Sequence, residues 1–257
     1  MSANPRLQDW RGRVVWIVGA SSGIGRATAA KLHEQGAHLM VSARSAAALD
    51  QFCREHPGAE ALPLDVGDAQ SLQSAWTRLM ARAGRVDLVM YCAGHYEALD
   101  VDHYRLEPML RHLEINYIGA LRVLEPLLPQ LIRQGSGHLS LVASVAGYRG
   151  LPQALAYGPS KAAMQHLAEI LFLELQPRGI GVSVINPGFV ETPLTAQNRF
   201  HMPALISPEE AAEHILRGWR QGRFDIHFPR RFTNWLKLLQ LLPHRLYVGA
   251  VRRTTGL

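Results

Sequence analysis

Residues Gly19-Ala20-Ser21-Ser22-Gly23-Ile24-Gly25 follow directly on a short apolar, β-rich run at 13–18 and open a helical pattern that reaches Gln35. This placement constrains the chain more than the letters do. Glycine lets a backbone turn tightly and come close to a ligand. The free N–H groups at the start of the helix can then hold a pyrophosphate. The bland alternative is a tight strand–helix turn with no ligand. A glycine trio alone is a weak signal, and a strand before it and a helix after it favour the phosphate cradle.

The same strand-then-helix rhythm repeats along the chain. Strand-like runs stand at 38–42, 61–64, 86–91, 138–142 and 181–185. Helical stretches lie between them, capped by Ser45 and by Asp68, with a long one at 106–134 and another at about 155–176. Apolar runs joined by helices imply parallel strands with right-handed crossovers. The expected fold is α/β: a doubly wound, Rossmann-type parallel sheet between two helix layers, forming one domain over 1–257, with ligands at the carboxyl ends of the strands. Apolar residues make up 47% of the chain, enough to fill both layers.

Several classes fall away. No run is long and apolar enough to span a membrane, and the first ten residues do not read as a signal peptide. Cys53 and Cys92 form no metal or redox spacing, so no metal is expected and a reducing, cytoplasmic setting is. The net charge of +6 is uneven: residues 207–257 carry nine Lys/Arg against four Asp/Glu. A solvated basic face is the favoured reading, and no nucleic-acid partner is expected.

The glycine spacing G-x-x-x-G-x-G resembles that of the short-chain dehydrogenase/reductase family, and further motifs keep the family's order over about 12–195. Asp65-Val66 follows the third strand, Ala93-Gly94 the fourth, Asn116 lies in the long helix, and Ser144, Tyr157 and Lys161 have the family's spacing. Pro187-Gly188, Val190 and Thr192 follow the sixth strand. The resemblance implies Asn116, Ser144, Tyr157 and Lys161 as the catalytic set. It implies a dinucleotide held by Gly19, Ser21, Ser22, Gly23, Ile24, Gly25, Asp65, Val66, Ala93, Gly94, Tyr157, Lys161, Pro187, Gly188, Val190 and Thr192, with Lys161 on the nicotinamide ribose and Asn116 holding a water on a proton path.

The chemistry suits these side chains. Tyr157 and Lys161, four apart, share a helix face. A free tyrosine is a poor base at neutral pH, and a nearby ammonium favours tyrosinate. Tyr157 can give a proton to a carbonyl oxygen or take one from an alcohol, while Ser144 holds that oxygen as charge develops. Two departures from the family stand out. Tyr91-Cys92 replaces an asparagine pair that tethers neighbouring strands, so that tether is lost or shifted. Pro159, between Tyr157 and Lys161, is easiest in a first helical turn and threatens to loosen the helix start.

Cofactor choice turns on the end of the second strand. Ala43 occupies the place of the acid that favours NAD, and Arg44 follows. A guanidinium attracts a 2′-phosphate, so NADP(H) is expected, with Ser42 and Ser45 adding hydroxyl contacts.

Residues 193–228 are expected to form a substrate lid. Leu194, Phe200, Met202, Leu205 and Ile206 suggest an apolar carbonyl or alcohol substrate, and Tyr148, Leu151 and Leu155 an opposite wall. A basic, apolar extension over 229–257 contains FTNWLKLLQLL between Arg231 and Arg245. It fits a membrane-surface helix over 229–245, a subunit contact or a lid brace, with the packing readings favoured. A homodimer or homotetramer is expected. The rival functions are a 3-oxoacyl-carrier reductase, a dinucleotide sensor without turnover, and a surface-binding module driven by the basic tail.

Overall fold

The computed structural model describes residues 3–198 and 202–255. β1 (Val14–Val18) leads through the glycine turn into α1 (Gly23–Glu34). β2 (His38–Ser42), α2 (Ala46–Glu55), β3 (Glu60–Ala61), α3 (Ala69–Ala83) and β4 (Leu88–Tyr91) complete the first half. α4 (Leu106–Leu113) runs through a π-helical turn, Glu114–Ile118, into α5 (Gly119–Gln134). β5 (Gly137–Val142), α6 (Tyr157–Leu175), β6 (Ile180–Pro187), α7 (Pro208–Arg220), β7 (Asp225–Phe228), α8 (Arg230–Gln240) and α9 (His244–Thr255) follow.

All seven strands pair in parallel in the order β3-β2-β1-β4-β5-β6-β7. The order reverses between β1 and β4, the switch point at which such sheets open a ligand crevice. Strand alternation divides the apolar residues into two cores. Trp16, Val18, Val89, Tyr91, Leu139, Leu141 and Val184 face α3, α5 and α6. Val15, Ile17, Leu88, Met90, Val142 and Ile185 face α1, α2 and α7. Because both faces are covered, the strands read as continuous apolar runs.

Local chemistry sets the helix ends. Ser45 accepts from the Ala48 N–H and Asp68 from the Gln70 N–H. Ser207 and Glu210 form a reciprocal capping box, with Pro208 at the first position of α7. Pro159 falls in the first turn of α6, where a missing N–H costs little, and the helix starts regularly at Tyr157. Three expectations need correction. Residues 208–228 are framework, since α7 packs on α1 and β7 joins the sheet as an edge strand. The third strand starts one residue earlier, pairing at Glu60 and Ala61, and goes on through the Leu62 and Leu64 N–H groups to the Val41 and Ala43 carbonyls. The long helix is broken by the π turn at 114–118.

Candidate active site

The loops at the carboxyl edge of the sheet bring the candidate residues together. The glycine loop is the tightest part. Gly19 has φ +99, and a side chain on it would strike the Ala93 main chain at 2.4 Å. Gly23 has φ +55 and would meet the Thr192 side chain at 2.8 Å, and Gly25 would meet the Gly19 carbonyl at 2.1 Å. Glycine here lets one loop lie against the segments after β4 and β6 at once. Ser22 is the extended residue before α1 and makes no side-chain cap, so its hydroxyl is not spent on the helix start. Ser21 is half-buried, and Ile24 packs on the α1-side core.

Gly94 stands where three groups converge. A Cβ there would lie 3.7 Å from Asn116 Oδ1, 3.8 Å from Leu194 Cδ2 and 3.9 Å from Lys161 Nζ. Asn116 is fully buried in the π turn. Its Oδ1 accepts from the His95 N–H (2.7 Å), and its Nδ2 donates to the His95 carbonyl (3.0 Å) and to Ser160 Oγ (2.9 Å). Ser160 in turn donates to the Tyr157 carbonyl. Asn116 therefore ties the loop after β4 to the first turn of α6.

Ser144, just beyond β5, accepts from the Ala146 N–H, and its hydroxyl stands near enough to Tyr157 to favour the phenolate. Gln165 Nε2 holds the Ser144 carbonyl at 2.8 Å. Lys161 is buried, and its Nζ donates to the Val142 carbonyl (2.9 Å) and lies 5.6 Å from the Tyr157 ring centroid. Burial pushes the Tyr157 phenol up to about 12 against the opposite pull of Ser144, and pushes the Lys161 ammonium down to about 8. The expected lowering of Tyr157 by Lys161 is corrected: the phenol is raised, and desolvation is the largest cause. A phenol so placed is a protonated donor at neutral pH.

Two side chains beside Tyr157 gave no sequence signal, because the loop and helix faces that carry them follow no fixed spacing. Tyr96 sits edge-on to the Tyr157 ring at 5.1 Å, and its hydroxyl donates to Asn198. His112 lies 6.3 Å from the Tyr157 ring, with Nδ1 on the Pro108 carbonyl and Nε2 accepting from the Glu97 N–H. Its ring is 4.7 Å from that of His95.

Around the rim, Arg44 is exposed just past β2. Ser42 faces inward and accepts from Trp16 Nε1 at 2.9 Å, which corrects its expected part in cofactor binding. The Ser45 hydroxyl accepts at the start of α2. Asp65 Oδ1 accepts from the Gly67 N–H, shaping the turn after β3. Val66 packs against Gly119 in the core, with its carbonyl on Arg122. Pro187 ends β6. Gly188 lies 3.0 Å, from its would-be Cβ, against the Phe232 ring. Val190 is buried and bridges to Ile206, so Ile206 belongs to the core and not to a substrate face. Thr192 and Thr195 cross-bond in the segment beyond. Met202 and Leu205 remain partly exposed, Leu194 faces Gly94, and Phe200 lies outside the described residues.

The cradle fits a dinucleotide. The glycines leave room that any Cβ would fill, no acid stands at position 43, and Lys161 presents an ammonium with one protein acceptor on the same side as Tyr157. No cluster able to hold a metal ion occurs among the described residues.

The family model for short chain dehydrogenases matches residues 13–202. An uncharacterized oxidoreductase of Myxococcus xanthus is 34% identical over 245 residues, covering 94% of this chain and 97% of its own. A short-chain dehydrogenase from Streptomyces avermitilis superposes with a TM-score of 0.79 at 25% identity, over 95% of this chain and 96% of that one. A protein from Brucella melitensis described as ribose-5-phosphate isomerase superposes with a TM-score of 0.78 at 26% identity, over 90% and 96%.

Proposed function

The chain belongs to the short chain dehydrogenase family, and on that premise we propose that it is an NADP(H)-dependent oxidoreductase interconverting a ketone or aldehyde and an alcohol, with Tyr157 as the acid/base. The observation that carries the reading is the buried Lys161 ammonium beside the Tyr157 ring, with Ser144 near enough to pull on the phenol, at the mouth of a glycine cradle.

When bound, the nicotinamide supplies or takes the hydride. The protein's own work is placement and proton transfer. Ser144 holds the substrate oxygen, and Tyr157, a protonated phenol at neutral pH, donates its proton to that oxygen during reduction. Lys161 keeps positive charge beside the phenolate that results. Asn116 has its amide and one lone pair committed to His95 and Ser160, so its contribution is to hold the His95 loop and the start of α6 in register. Any water it held would use what remains of its oxygen.

A substrate with apolar character is supported by Leu194 at Gly94 and by Tyr96 against Tyr157. NADP(H) over NAD(H) is supported by exposed Arg44 in the absence of an acid at Ala43. Self-association is supported by exposed Leu106, Leu110, Leu113, Leu121, Ile170 and Leu173 on α4, α5 and α6. The sensor reading leaves the Ser144–Tyr157–Lys161 set without work.

Tyr157→Phe keeps the ring and removes the proton. Its turnover with a panel of ketones and NADPH should fall by about 10²–10⁴ while dinucleotide affinity stays unchanged. Undiminished turnover would sink the assignment. Arg44→Ala should weaken NADPH binding by about tenfold or more and leave NADH binding unchanged, as read by fluorescence titration. Equal affinity of the native protein for both dinucleotides would remove the NADP(H) preference.

A further inference from the structure

The exposed side of the C-terminal helices has a composition found nowhere else on the chain. Residues 229–257 contain six Lys/Arg and no Asp or Glu, so they hold a charge equal to the net +6 of the whole protein. One face of α8 is fastened down. Thr233 is buried, and Lys237 pairs with Asp225 on β7. The opposite face is open: Arg231, Trp235, Leu238 and Leu241 recur at helical spacing, and α9 adds Arg245, Leu246, Arg252 and Arg253. Trp235, Leu238, Leu241 and Leu246 are 68%, 56%, 80% and 60% exposed. None of Arg230, Arg231, Arg245, Arg252 or Arg253 has an ion-pair partner among the described residues.

We propose that the exposed face of α8 and α9 docks on an anionic phospholipid surface, with Trp235, Leu238, Leu241 and Leu246 entering the acyl boundary and the arginines on the headgroups. Charge decides the occupant. A second copy meeting this face symmetrically would oppose two sets of arginines with no acid on either side. A bilayer rich in acidic lipid satisfies the cations and the leucines together. α8, at 11 residues, is too short to cross a membrane, and no helix among the described residues is long and apolar enough to do so, so the helices lie in the interface plane.

Co-sedimentation of the full chain with vesicles of phosphatidylcholine, alone or mixed in equal parts with phosphatidylglycerol, tests this. Binding should favour the anionic vesicles by about tenfold or more and fall as salt rises. A variant carrying Trp235→Ser, Leu238→Ser and Leu241→Ser should lose that binding, as should one carrying Arg231→Ser, Arg245→Ser and Arg252→Ser. Both should keep the native circular dichroism and the native oligomeric state in sedimentation velocity. The tryptophan emission of the native protein should shift to the blue on anionic vesicles, and that shift should vanish in Trp235→Phe. No binding, binding indifferent to lipid charge, or binding unchanged in both variants overturns the proposal. So does a fall in oligomeric state in the first variant, which would make the face a subunit contact.

Discussion

His138 sits near the start of β5 with its imidazole sealed from water, Nε2 on Ser183 Oγ at 2.9 Å and Gly181 opposite with no room for a side chain. Burial pushes it down to about 3. In the unfolded chain the ring regains its ordinary value near 6.5, so the unfolded state binds the extra proton first as pH falls. The native state is therefore fully supported above about pH 6.5 and loses about 1.4 kcal/mol per pH unit below it from this ring alone. Urea unfolding at pH 7 and pH 5 should show about 2 kcal/mol less acid destabilisation in His138→Leu than in the native chain. An unchanged difference would mean that the ring takes up its proton in the folded state. Burial also separates the neighbouring serines and arginines by role. Ser42 and Arg44 are adjacent enough in sequence to be read together, yet Ser42 ends β2 and faces inward to Trp16, while Arg44 lies past the strand and stays exposed. The type and order of Ser144, Tyr157 and Lys161 were legible through the resemblance to the family's motifs. The raised phenol was not, because desolvation depends on neighbours far along the chain.

The π turn is the element on which the site hinges. A continuous helix over 106–134 satisfies the sequence periodicity, but the structure inserts one wider turn at 114–118, and this carries Asn116 to the His95 main chain. Widening a turn frees a carbonyl, and Tyr91 takes it: the phenol donates to the Ile115 carbonyl at 2.5 Å. Gly119 makes the approach possible, since a Cβ there would sit 2.4 Å from the Tyr91 hydroxyl. The tether lost with the asparagine pair is thus rebuilt from Tyr91 to the π turn, and Cys92 holds its place through its main-chain N–H on the Val18 carbonyl. Tyr91→Phe leaves the buried Ile115 carbonyl without a donor. It should cost about 1–3 kcal/mol in thermal unfolding, and lower kcat for ketone reduction through the shift of Asn116. No change in either would show that the turn stands without the phenol. β7 gives no sequence signal for a related reason. Its four residues, Asp225–Phe228, alternate burial at a sheet edge and lack a long apolar run.

At the scale of the whole molecule, distant segments are stapled across the sheet. Asn4 donates to the Val182 and Arg223 carbonyls and accepts from the Val182 N–H, pinning the N-terminal segment between β6 and β7. Arg149, just after the Ser144 turn, gathers the Leu239, Gln240 and Leu242 carbonyls at the end of α8 and stacks over the Tyr247 ring at 4.0 Å. Tyr247 returns a hydrogen bond to the Gly150 carbonyl. The C-terminal helices therefore brace the wall beside Ser144 from outside. Arg149→Ala leaves those carbonyls uncapped. Hydrogen exchange should rise about tenfold or more over 239–255 and stay unchanged in β1, β4 and β5. Uniform exchange across the chain would show that the brace is carried elsewhere.

Sequence by itself determined the alternation of strand and helix and the glycine turn, because backbone periodicity and positive φ demand particular residues at local spacing, and the proposed acid/base set was legible through its resemblance to the family's motifs. Only the tertiary structure decided where the wide turn falls, which serine faces the core, how far burial lifts Tyr157, and which face of α8 is left open. Each of these depends on what packs against a residue from elsewhere in the chain, and a list of neighbours in sequence does not contain that information.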